Sequence, residues 1–499
     1  MSLLFYNLVL GPLIEKCKIF EARNAFFIND QFYTYRILSK NISSIRNSIR
    51  ANTNIDEKNI GLIINDDIET YASIIALWLE GNAYVPINPG NPKERNDKII
   101  HLANIKTILN SNDLSIITEC KIIFSNRLDE SVCDLTPQTI ADDELAYIFF
   151  TSGTTGEPKG VPITRSNVAA FINAFWEMQL IIDENDKVLQ MFDLTFDLSV
   201  MSYLVPLLRG ACVYTIPTNK IKFNYIFELM DEQGLTIALM VPSILHYLRQ
   251  YFDEISAPQM KYSLFCGEAL PLDVTEEWSH CLPNAEILNV YGPTENTIFC
   301  TAYTFQRNST NKQHNGILTI GKAMSGVQTI IVDENNQKLK VGETGELCLA
   351  GELLTPGYWK NNEKDKEAFF FLDHNGKSTR FYKTGDLCVE DQDGDILYLG
   401  RIDFQTKIQG FRVELSEIEF YVKKFLGNIN VVALAITNTI GNSEIGLAIE
   451  SEEFVTKELF DYLNSKIPAY MIPTKLKFVK SFPLNINGKT DRKNLINSF

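Results

Sequence analysis

Short apolar runs, each closed by glycine, proline or aspartate, recur through the first 400 residues of this chain. KNIGLIIND (58–66) predicts a buried strand, and IETYASIIALWLEGNAYVPIN (68–88) predicts a helix, a glycine stop and a second strand. DKVLQMFD, ACVYTIP, TIALMVP, YSLFCGE and AEILNVYG repeat the strand pattern. Continuous rather than alternating hydrophobicity means that both faces of such strands are covered, the signature of α/β sheets wrapped by helices. From about residue 320 to 400 the rhythm changes to short strands with turns: QTIIVDENNQKL, GELCLAG and DLCVEDQDGDILYLG. After residue 403 a compact α/β pattern returns, with a helix near ELSEIEFYVKKFL and a strand at VVALAIT. There is no internal repeat, low-complexity linker or heptad array.

At 499 residues the chain is too long for one ordinary core, so two or three domains are expected. Its 45% hydrophobic and 22% charged residues are values for a soluble globular protein. A formal net charge of −16 argues against nucleic acid and anionic membrane as partners, so any phosphate must be held by a local site. Nine scattered cysteines without a C-x-x-C pair suit a reducing cytosol, and neither they nor the five histidines give a metal-ligand spacing. The start, MSLLFYNLVLGPLIEKCKIF, lacks a basic leader and a cleavage site and reads as an amphipathic first helix. No apolar run has the length of a membrane span, so a cytoplasmic protein with no membrane insertion is expected.

The stretch FFTSGTTGEPKGV (149–161) closes a buried strand with residues that cannot pack a core. Thr151, Ser152, Gly153, Thr154, Thr155 and Gly156 can surround an anion with amides and hydroxyls, and Lys159 adds a charge. The Walker order G-x-x-x-x-G-K-[ST] is not met, and a plain surface turn is the competing reading. NVYGPTENT (289–297) brings an aromatic, amides, a hydroxyl and a carboxylate out of one Gly-Pro turn. Tyr291 can stack on adenine, Asn289 can reach an exocyclic amine, Thr294 can contact an α-phosphate, and Glu295 can hold magnesium. Asp386 in YKTGDL can grip a ribose by accepting from two hydroxyls. Arg401 in GRIDFQTKIQGFRVELSEIE would lie near ribose and phosphates. Lys489 in NINGKTDRKNL, taken alone, is a solvated surface lysine.

In order along the chain, TSGTTGEPKGV, YGPTE, YKTGDL, GRIDFQTKIQGFRVE and NINGKTDRKNL resemble the motifs of AMP-forming adenylating enzymes. That superfamily contains acyl-CoA synthetases, luciferases and peptide-synthetase adenylation domains, and the resemblance covers essentially the whole chain. It implies ATP and magnesium as cofactors, and a fold class of α/β with a large N-terminal domain (1–402) of two α/β subdomains plus a β-rich subdomain. A small mobile α+β C-terminal domain (403–499) would carry Lys489 as the catalytic lysine, with Thr294 and Arg401. Gly267, Glu268, Val290, Gly292 and Pro293 are the remaining nucleotide-site positions it implies. It also implies a rotation of the small domain between half-reactions, hinged near Asp403, with Gly410 facing a thiol tunnel in the second arrangement.

TFDLSVMSYLVPLL (195–208) places Asp197 in an apolar segment, where it reads either as a helix cap or as a partner for a cation. In the amino-acid-activating branch of the superfamily the matching aspartate pairs with the substrate's α-ammonium. The pocket implied is lined by Leu198, Met201, Ser243, Leu264, Cys266, Val290, Ile298 and Phe299, with Phe196 as an aromatic gate, and it suits a small or apolar side chain. FDLSVM and LFCGEALP look like the D-alanine–carrier protein ligase branch, in which the cysteine matching Cys266 sits against the α-carbon; a buried structural thiol is the other reading of Cys266. Phe299 and Val290 depart from that branch and leave a stand-alone peptide-synthetase enzyme as the alternative. The chain ends eleven residues after Gly488, so the expected acceptor is the phosphopantetheine of a separate carrier protein.

Overall fold

A computed structural model describes the chain apart from residues 1–2, 55, 114–118, 128, 130–131, 139–140, 154–155, 375, 404, 428 and 484–489. The apolar runs become strands, among them Asn59–Ile63, Ala83–Ile87, Lys187–Gln190, Cys212–Thr215 and Ile237–Met240. The helix Ile68–Glu80 begins where Asp67 accepts from the Thr70 amide, and it stops at Gly81 with φ +87°. At the N-terminus a short π-helical turn, Tyr6–Leu10, runs into the helix Gly11–Ile19. Phe5, Val9, Leu13 and Cys17 recur every fourth residue and are buried, while Leu3, Leu4 and Tyr6 stay exposed.

Among the described residues, a six-stranded sheet has Asn59–Ile63 and Ala83–Ile87 at its centre. It is closed at one edge by the antiparallel pair β1 (Leu145–Thr151) and β2 (Lys159–Thr164). A nine-stranded sheet is parallel through its middle. It includes Lys187–Gln190, followed by α1 (Leu198–Leu207), and the neighbours β3 (Tyr262–Phe265) and β4 (Glu286–Tyr291). Strands buried on both faces need no polar alternation, which is why they read as unbroken apolar runs.

The turn-rich section forms an antiparallel sheet of five strands among the described residues. Its long β5 (Lys377–Glu390) pairs with β6 (Ile396–Arg401), which sets Asp386 directly opposite Arg401. Beyond Arg401 the hairpin of β7 (Gln405–Ile408) and β8 (Phe411–Glu414) leads into α2 (Leu415–Leu426). These elements share a separate apolar cluster that includes Val413, Ile418, Val422, Ala433 and Leu447. No helix among the described residues is long and apolar enough to cross a membrane.

Candidate active site

The glycine-rich segment is the connection of the β1–β2 hairpin, with Thr151 paired to Lys159 and Phe150 to Gly160. A side chain at Gly153 would put Cβ 2.1 Å from the Glu157 carbonyl oxygen, so the loop closes only with glycine there. The Gly156 amide donates back to the Gly153 carbonyl at 3.1 Å. Lys159 is buried behind the loop, its Nζ 3.5 Å from Glu414 and over the Tyr358 ring at 5.6 Å. Burial, then the nearby Arg412 cation, lowers its pKa to about 8. Thr154 and Thr155 lie outside the described residues.

Parallel pairing of β3 and β4 brings Cys266-Gly267-Glu268 and Asn289 to Pro293 side by side at the carboxyl ends of their strands. Asn289 donates from Nδ2 to the Thr319 carbonyl at 2.9 Å, which fixes the amide. Tyr291 donates to one oxygen of Asp386 at 2.5 Å, and Arg401 donates to the other at 2.7 Å. The three implied ribose and adenine groups therefore meet at one point. A cavity of about 530 Å³ opens there, walled by Gly267, Glu268, Asn289, Tyr291, Asp386 and Arg401.

After Pro293 the chain makes a short turn, Thr294–Asn296, and then passes through Thr297 (φ +50°) and Ile298 (φ +74°). A β-branched residue is rarely left-handed, and the strain, on the order of 1–3 kcal/mol per residue, is held by the surrounding structure. The result is a fully buried Glu295. It accepts from Tyr358 at 2.7 Å and from Arg412 Nη1 at 3.0 and 2.9 Å, one to each oxygen. Burial alone would raise its pKa, but Arg412 and Lys159 bring it down to about 2. Arg412 is thus the cation paired with Glu295 in this arrangement. Among the described residues no group of three or more His, Cys, Asp and Glu is placed to hold a metal ion.

Asp197 stands at the N-cap position of α1 but is itself helical, with φ −65° and ψ −25°, and its side chain makes no capping bond. Its cap reading therefore fails. The carboxylate is buried, Oδ2 has no hydrogen-bond partner in this structure, and burial raises the pKa to about 6 despite Thr294 and Lys407 nearby. A small cavity, about 30 Å³, lies against it, bounded by Phe196, Leu198, Cys266, Gly292 and Thr294. The Cys266 thiol is buried and pushed up to about 12, chiefly by burial, which makes it a packing group rather than a nucleophile. Met201, Val290, Ile298 and Phe299 are buried but do not wall this small cavity. Phe299 instead packs edge-on against Phe171 at 5.0 Å, so its bulk does not fill the space beside Asp197.

The β7–β8 hairpin reaches into this site. Gly410 (φ +83°) donates from its backbone N–H to Glu268 at 2.8 Å, and Phe411 lies 5.7 Å from Phe196, ring to ring. Ser152 donates to the Arg412 carbonyl at 2.8 Å. The family profile of the AMP-binding enzymes matches residues 15–359. The chain belongs to this family. It is 32% identical over 489 residues to the D-alanine–D-alanyl carrier protein ligase of Lactococcus lactis, covering 93% of this chain and 94% of that one. It is 33% identical to part of a linear gramicidin synthase of Brevibacillus parabrevis, covering 95% of this chain but 9% of that protein. It likewise spans 13% of a plipastatin synthase of Bacillus subtilis. The fold matches the Vibrio cholerae adenylation domain AlmE, solved with glycyl-adenosine-5'-phosphate, at a TM-score of 0.85 and 24% identity, over 98% of this chain and 97% of that one.

An AMP-forming ligase of this family uses ATP, and the loop amides, Asp386 and the large cavity suit a nucleotide. Lys489 lies outside the described residues. Arg412 and Tyr358, which hold Glu295, were missed from the sequence. Arg412 sits two residues after Gly410 in GRIDFQTKIQGFRVE, so proximity to that motif was the available signal for it, and nothing local marked Tyr358.

Proposed function

We propose that the protein activates a small amino acid, D-alanine first among candidates, as its aminoacyl-AMP and passes it to the phosphopantetheine thiol of a carrier protein. The observation that carries this is Asp197, a buried carboxylate with one unpartnered oxygen beside a cavity of about 30 Å³. An α-ammonium would satisfy that oxygen, and a simple carboxylic acid would leave it bare. The small space between Leu198 and Cys266 favours hydrogen or methyl as the side chain. The ligase from L. lactis supports D-alanine, while the peptide-synthetase relatives favour the same chemistry on another amino acid.

In the first half-reaction the carboxylate of the amino acid attacks the α-phosphate and pyrophosphate leaves. Asp386 and Tyr291 orient the nucleoside, Lys159 and the loop amides hold the phosphates, Thr294 contacts the α-phosphate, and Lys489 balances charge in the transition state. Glu295 is proposed as a magnesium ligand once Arg412 has withdrawn from it. In the second half-reaction a thiol attacks the mixed anhydride and AMP leaves. The seating of Gly410 against Glu268 supports reading this arrangement as the second one. A cavity of about 260 Å³, walled by Asn88, Thr195, Phe411 and Tyr470, offers an extended arm a path between the large and small domains.

ATP–pyrophosphate exchange across D- and L-amino acids and simple carboxylic acids tests the reading. Exchange with D-alanine above all others supports it. Exchange with another amino acid selects the peptide-synthetase alternative, and preference for a simple acid would mean that Asp197 does not pair with a substrate ammonium.

A further inference from the structure

The glycine-rich loop is occupied by groups of the chain itself. Glu414 ends β8 with an oxygen 3.5 Å from Lys159 Nζ, the loop's cation. One turn into α2, Glu417 is fully buried beside the same loop, and Oε1 accepts from Arg95 at 2.9 Å. Burial raises the pKa of Glu417, opposed by Arg95 and then by the nearby Gly153 backbone N–H, and Oε2 has no partner at hydrogen-bond geometry. Tyr421, one turn further, donates to the Gly156 carbonyl at 3.1 Å, and a Cβ placed at Gly156 would lie 2.8 Å from Phe420. The β8–α2 corner thus brings two carboxylates against the loop, Glu414 at its cation and Glu417, with one unpartnered oxygen, beside the Gly153 amide.

We propose that Glu417, with Glu414, is an internal stand-in for the nucleotide's polyphosphate: it fills the loop after pyrophosphate leaves and holds the small domain in the carrier-facing arrangement. This rests on the two-step reading of the proposed function. A buried anion site with a cation and oriented amides is costly to leave empty, since each polar group loses its water without gaining a partner. Supplying the replacement anion from the small domain links departure of pyrophosphate to seating of Gly410. By the same linkage, a diphosphate that binds the loop must expel the corner, because a ligand shifts an equilibrium by its differential affinity for the two states. Arg95 then acts as a positioning residue, aiming the carboxylate.

The test uses methylenediphosphonate, a diphosphate analogue whose P–C–P bridge cannot be hydrolysed, with the full chain and no aminoacyl-AMP present. Calorimetry on the wild type, Glu417→Gln and Arg95→Gln separates a phosphate stand-in from a simple latch. Glu417→Gln should bind the diphosphonate about tenfold more tightly than the wild type, because the competing anion is gone, and Arg95→Gln should gain much less. Hydrogen exchange in 411–426 of the wild type should rise when the diphosphonate is added. Equal gains in the two variants would leave only an ion-pair latch and overturn the stand-in. Unchanged affinity in Glu417→Gln, or unchanged exchange in 411–426, would overturn it too. Neither measurement needs an amino acid or a carrier, so it stands or falls apart from the proposed function, which fails instead if no amino acid supports pyrophosphate exchange.

Discussion

A side chain at Gly410 should block the second half-reaction and spare the first. An ideal Cβ there would sit 2.4 Å from Val241 Cγ1, well inside van der Waals contact, and the residue has φ +83°. The left-handed backbone costs a non-glycine residue roughly 1–2 kcal/mol, but that cost travels with the hairpin and lowers stability in either arrangement. The overlap with Val241 belongs only to the arrangement in which the hairpin is seated. Overpacking of that kind costs about 1–3 kcal/mol. At 1.4 kcal/mol per decade, the seated population should fall roughly 5- to 150-fold, with Gly410→Ala near the lower figure and Gly410→Leu near the upper. The assay pairs ATP–pyrophosphate exchange with single-turnover transfer from isolated aminoacyl-AMP to the carrier thiol. If exchange fell in step with transfer in a variant that unfolds cooperatively, the assignment of this arrangement to thiol attack would be wrong.

Asp197→Ala should abolish exchange with amino acids, since removing one partner of a buried ion pair costs roughly 3–5 kcal/mol; unchanged amino-acid turnover would refute the pairing. Asp197→Asn bears on stability without substrate. Burial raises the folded-state pKa of Asp197 to about 6 against an ordinary 3.8, so ionisation opposes folding increasingly as pH rises from 4 to 6 and fully above that. The variant should be about 2–3 kcal/mol more stable at pH 7.5 and no different near pH 3 in urea melts, and a wild type of equal stability at pH 7.5 would contradict the burial argument. Arg412→Met should leave Glu295 charged and buried in the carrier-facing arrangement, slowing transfer far more than exchange, and parallel losses would show that the pair serves the fold instead. Lys489→Ala should cut adenylate formation by orders of magnitude while sparing transfer from preformed adenylate, as read by the same two assays.

The strands were legible because sheets covered on both faces require continuous apolar runs, and a lone charge in such a run, Asp197, announced itself. The partners of the site were less legible, because they come from distant sequence. Tyr358 and Arg412 lie 63 and 117 positions from Glu295, and Arg95 lies 322 from Glu417. Nothing in local spacing marks such pairs, so Glu295 read as a free magnesium ligand when an arginine holds it in this structure. The helix-cap alternative for Asp197 fails for a reason hidden in the backbone. A residue that is already helical cannot swing its carboxylate back over the first-turn amides.

Phe299 shows where mapping a pocket by sequence position goes astray. Its place after the YGPTE turn put a bulky ring in the expected pocket wall, a departure from the D-alanine ligase branch that put D-alanine in question. The wall is elsewhere because Thr297 and Ile298 are both left-handed, which sends the next ring toward Phe171 and Phe175. No residue type announces that turn: threonine and isoleucine are among the least suited to it. The strain is held by the surroundings, as the Thr297 hydroxyl donates to the Leu353 carbonyl at 2.5 Å and both residues are fully enclosed. What the strain secures is the inward direction of Glu295, two residues earlier, against Tyr358 and Arg412. The same kink that aims the carboxylate therefore clears the space beside Asp197, so Phe299 is no argument against a small amino acid as substrate.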